Sequence, residues 1–96
     1  DNLTRLRAMR AGELADGVEA IEVLLAYHDA ANDLHDEKRL HLGAKSRAEW
    51  QLQLKDAARR DYDMTITWIR SDGFNPHIGP TSTSDTFVVI PGTPPQ

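Results

Sequence analysis

With 96 residues, the chain has room for one domain and a small hydrophobic core. Its formal net charge of −4 argues against non-specific nucleic-acid binding, and the absence of cysteine excludes disulfides, thiol nucleophiles and thiolate metal ligands. No apolar run approaches the length of about 20 residues that spans a bilayer, so no membrane contact is expected.

A short helix is predicted over residues 2–11, because apolar residues recur there about once per helical turn. Its polar side is basic and contains Arg5, Arg7 and Arg10. That basic face either lies in solvent or meets an acidic partner. Gly12 predicts a bend or break at the end of this helix.

The principal helix is predicted to begin at Glu13 and to end near His35 or near His41, before Gly43. Five of its residues recur at spacings of four, three, four and three: Leu14, Val18, Ile21, Leu25 and His28. This spacing places all five on one side of an α-helix. The apolar part of this stripe is therefore expected to contact a second helix and, in part, another chain.

A second helix is predicted to begin at residues 46–49, whose sequence Ser-Arg-Ala-Glu matches a capping box. Trp50, Leu54 and Trp68 follow on one helical stripe and are expected to face the first helix. Residues 64–69 also alternate like a strand rich in β-branched and aromatic residues. Helix is favoured for them, because they continue from a well-capped start.

The C-terminal residues 73–96 are rich in Gly, Pro, Ser and Thr and are predicted to form an extended arm. One strand is predicted within it, at Thr86–Ile90, and a strand this short needs a partner. Its apolar residues are expected to dock on the sheet edge of another subunit. These residues are Phe87, Val88, Val89 and Ile90.

The predicted fold is mainly α. Residues 1–72 are expected to form a helical domain, an antiparallel helical hairpin preceded by a short N-terminal helix. Residues 73–96 are expected to form the extended C-terminal arm that contains one short β-strand. No internal repeat is present.

Histidines and carboxylates gather between His28 and His41. Imidazole and carboxylate groups one helical turn apart can hold Zn²⁺. However, the chain contains neither His-Glu-x-x-His nor Glu-x-x-His. The preferred interpretation is a polar helix end, with a metal site and a pH-sensitive contact as alternatives. No metal or other cofactor is predicted.

No motif of an enzyme is present. The chain lacks the Gly-x-Ser-x-Gly elbow of a serine hydrolase and a Gly-rich phosphate-binding loop. A helical hairpin of this size would also offer no cleft for a pair of catalytic carboxylates. The protein is therefore predicted not to be an enzyme.

The predicted function is that of a structural or adaptor subunit, which assembles with other protein subunits into a homo- or hetero-oligomer. The apolar stripe is longer than one helix can cover, and an arm of this kind can tie neighbouring subunits together, as in virions and tail-like assemblies. The predicted interface consists of Leu14, Val18, Ile21, Leu25, Trp50, Leu54, Trp68, Phe87, Val88, Val89 and Ile90. The expected location is the cytoplasm or a virion.

The alternative is a winged-helix-like DNA-binding regulator, because a helix followed by two extended segments has the layout of a helix and its wing. Five basic residues would then contact DNA: Arg47, Lys55, Arg59, Arg60 and Arg70. They are interleaved with acidic residues, and the segment Thr81–Ser84, where the wing would turn, contains no basic residue. Nucleic acid is therefore the less favoured partner.

Overall fold

The computed structural model describes residues 2–95 and is nearly all β, with 62% of these residues in strands and 3% in helix. The described residues form seven strands and one 3-10 turn, Ala30–Asn32. The strands are β1 (Leu3–Ala11), β2 (Val18–Asp29), β3 (Leu34–Leu42), β4 (Arg47–Gln53), β5 (Tyr62–Arg70), β6 (His77–Thr83) and β7 (Phe87–Pro91).

The strands form two sheets that cover one hydrophobic core. The three-stranded sheet has the order β4-β1-β7, in which β1 is antiparallel to β4 and parallel to β7. The four-stranded sheet has the order β3-β2-β5-β6, and its neighbours are all antiparallel. Residues from both sheets join a single buried cluster, which makes the architecture a two-layer packing of sheets.

The helix predicted from Glu13 to His35 is wrong, because this stretch contains β2. Buried side chains recur there at every second residue: Ile21, Val23, Leu25, Tyr27 and Asp29. A bulge between Val18 and Ala20 shifts the register, so that Val18 and Ile21 both reach the core three positions apart. Strand alternation interrupted by one bulge therefore reproduces the spacing of Val18, Ile21 and Leu25, whereas His28, the last residue of the predicted stripe, is exposed on the opposite side of β2.

The other predicted helices are also strands, so the mainly α fold and its helical hairpin are wrong. Residues 2–11 contain β1, in which buried Leu6 and Ala8 alternate with exposed Arg5 and Arg7. This alternation, with a period of two, is that of a half-buried strand. Arg5 and Arg7 lie together on the outer side of the sheet, but Arg10 lies on the side of Leu6 and Ala8 and donates to the Gly12 and Gly43 carbonyls, so the predicted basic face of three arginines is not present.

The second predicted helix is β4 followed by a loop and β5. The capping-box residues lie at the start of β4, where the Ser46 carbonyl accepts a hydrogen bond of 2.7 Å from the Arg10 amide. Buried Trp50, Leu52 and Leu54 then alternate with exposed residues. A matching cap sequence therefore did not lead to a helix, because strand pairing with β1 satisfies the same backbone groups.

Residues 64–69 lie within β5, so the preference for helix over strand in this stretch is wrong. Met64, Ile66 and Trp68 pair in register with Leu25, Val23 and Ile21 of β2. All six side chains belong to the core or pack against it. The alternation with threonine was therefore the informative pattern in this stretch.

The extended arm predicted over residues 73–96 is wrong within its described part, residues 73–95. These residues add β6 to the four-stranded sheet and β7 to the three-stranded sheet. A strand lies where one was predicted, but it pairs with β1 of the same chain, with Arg7 opposite Phe87. The C-terminal segment therefore completes the domain.

Two buried tyrosines tie the four-stranded sheet to neighbouring loops. The Tyr27 hydroxyl donates a hydrogen bond of 2.7 Å to the Arg59 carbonyl, and the Tyr62 hydroxyl donates to the Asp85 carbonyl. Burial raises the pKa of both phenols above its usual value. The neutral phenols therefore fix the β4–β5 and β6–β7 loops against the sheet.

Candidate functional site

The outer surface of the three-stranded sheet, here called the Phe87 face, combines apolar and basic side chains. Strand alternation and register place twelve residues on it: Leu3, Arg5, Arg7, Met9, Ala11, Arg47, Glu49, Gln51, Gln53, Phe87, Val89 and Pro91. This surface is the back of a sheet whose other side is in the core, so its composition is not needed for packing within the domain.

The apolar part of the Phe87 face lies where β1 and β7 pair. Phe87 is opposite Arg7, and Val89 is opposite Met9. Phe87 is 54% exposed and Val89 is 50% exposed, although both belong to a regular strand. Exposed apolar side chains that are adjacent on one face are typical of an interaction surface.

The charged part of the Phe87 face is mainly positive, because three arginines accompany one glutamate. Arg7 Nε lies 3.5 Å from Glu49 Oε1. In the part of the chain that the structure describes, Arg5 and Arg47 form no ion pair. The face thus carries an excess of two positive charges in a protein whose formal net charge is −4.

An open groove of about 730 Å³ runs across this face. Side chains and backbone of β1, β4 and β7 line it: Arg7, Ala8, Met9, Arg47, Ala48, Glu49 and Phe87. The groove joins the apolar patch to the arginines, so a single partner could contact both.

The free edge of β7 is less protected than the other sheet edges. Charges and prolines at an edge discourage the addition of another strand. β3 carries exposed Asp36 and Lys38 on its inward side, β4 carries two charged side chains, and β6 contains Pro80. β7 has no charged residue, its one proline is its last residue, and in the described chain it pairs only with β1.

The outer surface of the four-stranded sheet, here called the histidine face, is polar. Its side chains include the four histidines of the sequence, all within residues 2–95: His28, His35, His41 and His77. Glu22, Glu37 and Asp63 on this face outnumber Arg39, so the two outer faces of the domain carry opposite net charges. Arg39 Nη1 lies 2.9 Å from Glu22 Oε2.

The closest pair of histidines joins β2 to β3. His28 is opposite His35 in the strand register, and their Nδ1 atoms are 3.2 Å apart. Their rings meet edge to face with centroids 5.4 Å apart, and His35 Nε2 lies 3.4 Å from Glu37 Oε1. The predicted helix put these two histidines on one face because they are seven residues apart. In the structure they are adjacent because they are paired across the hairpin of β2 and β3.

The structure separates the eleven residues of the predicted interface into three groups. Seven are buried in the shared core: Val18, Ile21, Leu25, Trp50, Leu54, Trp68 and Ile90. Leu14 and Val88 are partly buried against that core, and Phe87 and Val89 are exposed. Only these last two therefore present their side chains on the surface of the folded chain, and their role in an interface stays a prediction.

Sequence reasoning missed Leu3 and Met9 as candidate contacts. The signal for them was the alternation of apolar and basic residues in β1, which leaves Leu3 42% exposed beside the arginines. Only the strand register places Met9 beside Val89.

The winged-helix layout is not present, because residues 2–95 contain no helix of seven or more residues. The five basic residues proposed to contact DNA are also dispersed. Arg47 lies on the Phe87 face, Lys55 donates to the Asn32 carbonyl, and Arg70 pairs with Asp72 at 3.0 Å. They do not form one basic surface.

Within residues 2–95, no group of three or more histidine, aspartate or glutamate side chains is arranged to hold a metal ion. None of the helical residues described forms a segment long and apolar enough to cross a membrane. The chain matches no protein-family model, no curated protein and no solved structure. A function must therefore be inferred from the chemistry of the two outer faces.

Proposed function

We propose that the domain is a non-enzymatic structural or adaptor subunit that binds another protein through the Phe87 face. The observation that supports this most directly is the exposure of Phe87 and Val89 side by side on a regular strand. Exposed aromatic and apolar side chains that lie next to arginines have the composition that is typical of the centre of a protein–protein interface. Membership of a virion or tail-like assembly stays a prediction.

The partner we propose is a different protein whose contact surface has an apolar centre and an acidic rim. Its acidic groups would pair with Arg5 and Arg47, which lack ion-pair partners within the described chain. Two copies meeting face to face would instead bring two positively charged surfaces together. The histidine face of a second copy has the complementary charge, but its apolar side chains, such as Leu24 and Ala26, are only partly exposed and offer Phe87 little apolar contact. Charge repulsion in the first arrangement and the lack of an apolar centre in the second favour a hetero-complex.

The test compares two exposed phenylalanines. Phe74 is 77% exposed in the β5–β6 loop, away from the Phe87 face, so Phe74→Ser is a matched control for Phe87→Ser. Wild-type and variant proteins are immobilised and exposed to an extract of the producing cells, and a protein retained in stoichiometric amount is purified for affinity measurements. We expect Phe87→Ser to weaken its binding by about 30-fold or more, as for an interface hot spot.

A second pair of variants tests the charge of the contact. Arg5→Glu together with Arg47→Glu should slow association and reduce its dependence on ionic strength, whereas Arg59→Glu in the β4–β5 loop should not. Equal losses with Phe74→Ser and Phe87→Ser would refute the proposed face. If the wild-type protein forms a concentration-dependent homodimer and the Phe87→Ser variant is monomeric, the proposed hetero-complex is refuted.

A further inference from the structure

We propose that His28 and His35 form a binding site for one divalent transition-metal ion of the Zn²⁺ class on the histidine face. The two residues are opposite each other on β2 and β3, and both side chains are exposed. Their Nδ1 atoms are 3.2 Å apart, and in the metal-free protein one must carry a proton and donate it to the other. A metal ion can take the place of that proton.

The distance between the two nitrogens suits this exchange. Zn²⁺ binds imidazole nitrogen at about 2.0–2.1 Å, so two ligands 3.2 Å apart subtend an angle of about 100° at the metal. This angle lies between those of octahedral and tetrahedral coordination. The two nitrogens therefore need not change their separation to bind one ion, although the rings must turn so that both lone pairs point at it.

The second nitrogen of His35 has a partner that supports binding through Nδ1. When Nδ1 binds the metal, the ring proton must lie on Nε2, which is 3.4 Å from Glu37 Oε1. A carboxylate that accepts from the far nitrogen of a ligating histidine fixes its tautomer and orientation. Glu37 would therefore act as a positioning residue. The proton displaced from between the rings moves, by exchange with solvent, to the Nε2 atom of the ring that carried it, so that ring keeps one N–H and no net proton is released.

The surroundings of His28 are acidic and held in place. His28 lines an open pocket of about 170 Å³ together with Asp61 and Asp63, whose charges favour a nearby cation. The turn between β2 and β3 is tied by a hydrogen bond of 2.8 Å from Asn32 Nδ2 to Asp29 Oδ2. The histidine pair thus lies at the end of a fixed hairpin.

The protein supplies two ligands, and water fills the remaining positions. Imidazole nitrogen favours Zn²⁺, Ni²⁺ and Cu²⁺ over Mg²⁺ and Ca²⁺, which prefer oxygen. The site should therefore bind Cu²⁺ more tightly than Zn²⁺, following the usual order of stability. Mg²⁺ should not compete.

The test uses protein without a histidine tag and titrates it with Zn²⁺ in a calorimeter and in thermal unfolding. We expect one ion per chain, and a rise in Tm of about 5–10 °C when Zn²⁺ is at ten times its Kd. His28→Ala together with His35→Ala should abolish both effects. Glu37→Gln should weaken binding by about tenfold without abolishing it.

The chain offers a matched control on the same face. His41 and His77 belong to one cross-strand row but are separated by β2 and β5, so His41→Ala together with His77→Ala removes two histidines and leaves the pair intact. This variant should bind Zn²⁺ like the wild type. Undiminished binding in the His28/His35 variant, or equal loss in both variants, would overturn the proposal.

Discussion

The indole N–H of Trp68 donates a hydrogen bond of 2.9 Å to the carbonyl of Pro91. Trp68 lies in β5 of the four-stranded sheet and is fully buried, whereas Pro91 ends β7 of the other sheet. The bond therefore crosses the core and holds the last strand against the opposite layer. A buried indole that lacked such an acceptor would be costly to the fold.

Trp68→Phe should destabilise the domain by about 2–4 kcal/mol, because it creates a cavity and removes the indole from the Pro91 carbonyl. Urea unfolding measures the change. Trp50→Phe is the control: Trp50 is nearly as buried in β4, but its indole has no inter-sheet hydrogen bond among the described contacts. If the two variants lose equal stability, the hydrogen bond has no separate effect.

Gly92→Ala should be strongly destabilising, by about 1–3 kcal/mol or more, because the added methyl group would overlap the backbone carbonyl of Glu13. Gly43→Ala is the control. A methyl group at Gly43 would meet the exposed side chain of His41, which can move aside. Thermal unfolding of both variants checks this, and a tolerated alanine at position 92 would contradict the close packing of the β1–β2 loop on the end of β7.

Neighbouring residues of β7 should differ sharply in their effect on stability. Ile90→Ala should cost about 2–5 kcal/mol, since Ile90 is completely buried in the core. Val89→Ala should change the free energy of unfolding by only about 0.5 kcal/mol, since Val89 is half exposed on the opposite side. If both substitutions changed the free energy of unfolding by equally small amounts, β7 would not be packed against the core of the isolated chain. Denaturant unfolding distinguishes these outcomes.

Stability should fall as the pH rises above about 10, the ordinary pKa of tyrosine. Burial raises the pKa of Tyr27, with a further increase from Asp29 and Asp56, and burial also raises the pKa of Tyr62. Between the unfolded and folded pKa values, the unfolded chain binds fewer protons than the folded chain, so the free energy of unfolding decreases with pH.

Tyr27→Phe together with Tyr62→Phe should flatten this decline while lowering stability at pH 7 through the two lost hydrogen bonds. The measurement is the free energy of unfolding between pH 8 and pH 12. A slope that is the same in the variant and the wild type would show that other groups dominate alkaline unfolding.

The sequence indicated which residues are apolar and buried better than it indicated their secondary structure. Ile21 and Leu25 are four positions apart, a spacing that both a helix and a strand place on one side. Leu24 and Ala26, half exposed on the histidine face, added apolar residues between the inward ones and obscured the alternation. The bulge before Ile21 supplied the spacing of three between Val18 and Ile21.

The candidate site was predictable only in part. Phe87 and Val89 lie on the same side of β7 in any sheet, so the sequence alone predicts that they are neighbours on one face. Whether that face points outward depends on the pairing of β7 with β1. That pairing is between distant segments and leaves no local pattern. His28 and His35 are neighbours both in the predicted helix and in the observed hairpin. A separation of seven residues is about two turns of a helix, and it also matches two paired positions on either side of the turn between β2 and β3.

The position of β1 between β4 and β7 has a consequence for how the chain is made. β1 is the first of these strands to be synthesised, and its parallel neighbour is the last. At about 5–20 residues per second, the segment between Arg7 and Phe87 takes roughly 4 to 16 s to emerge. One edge of β1 therefore stays unpaired during translation, and the three-stranded sheet can be completed only after β7 has been synthesised.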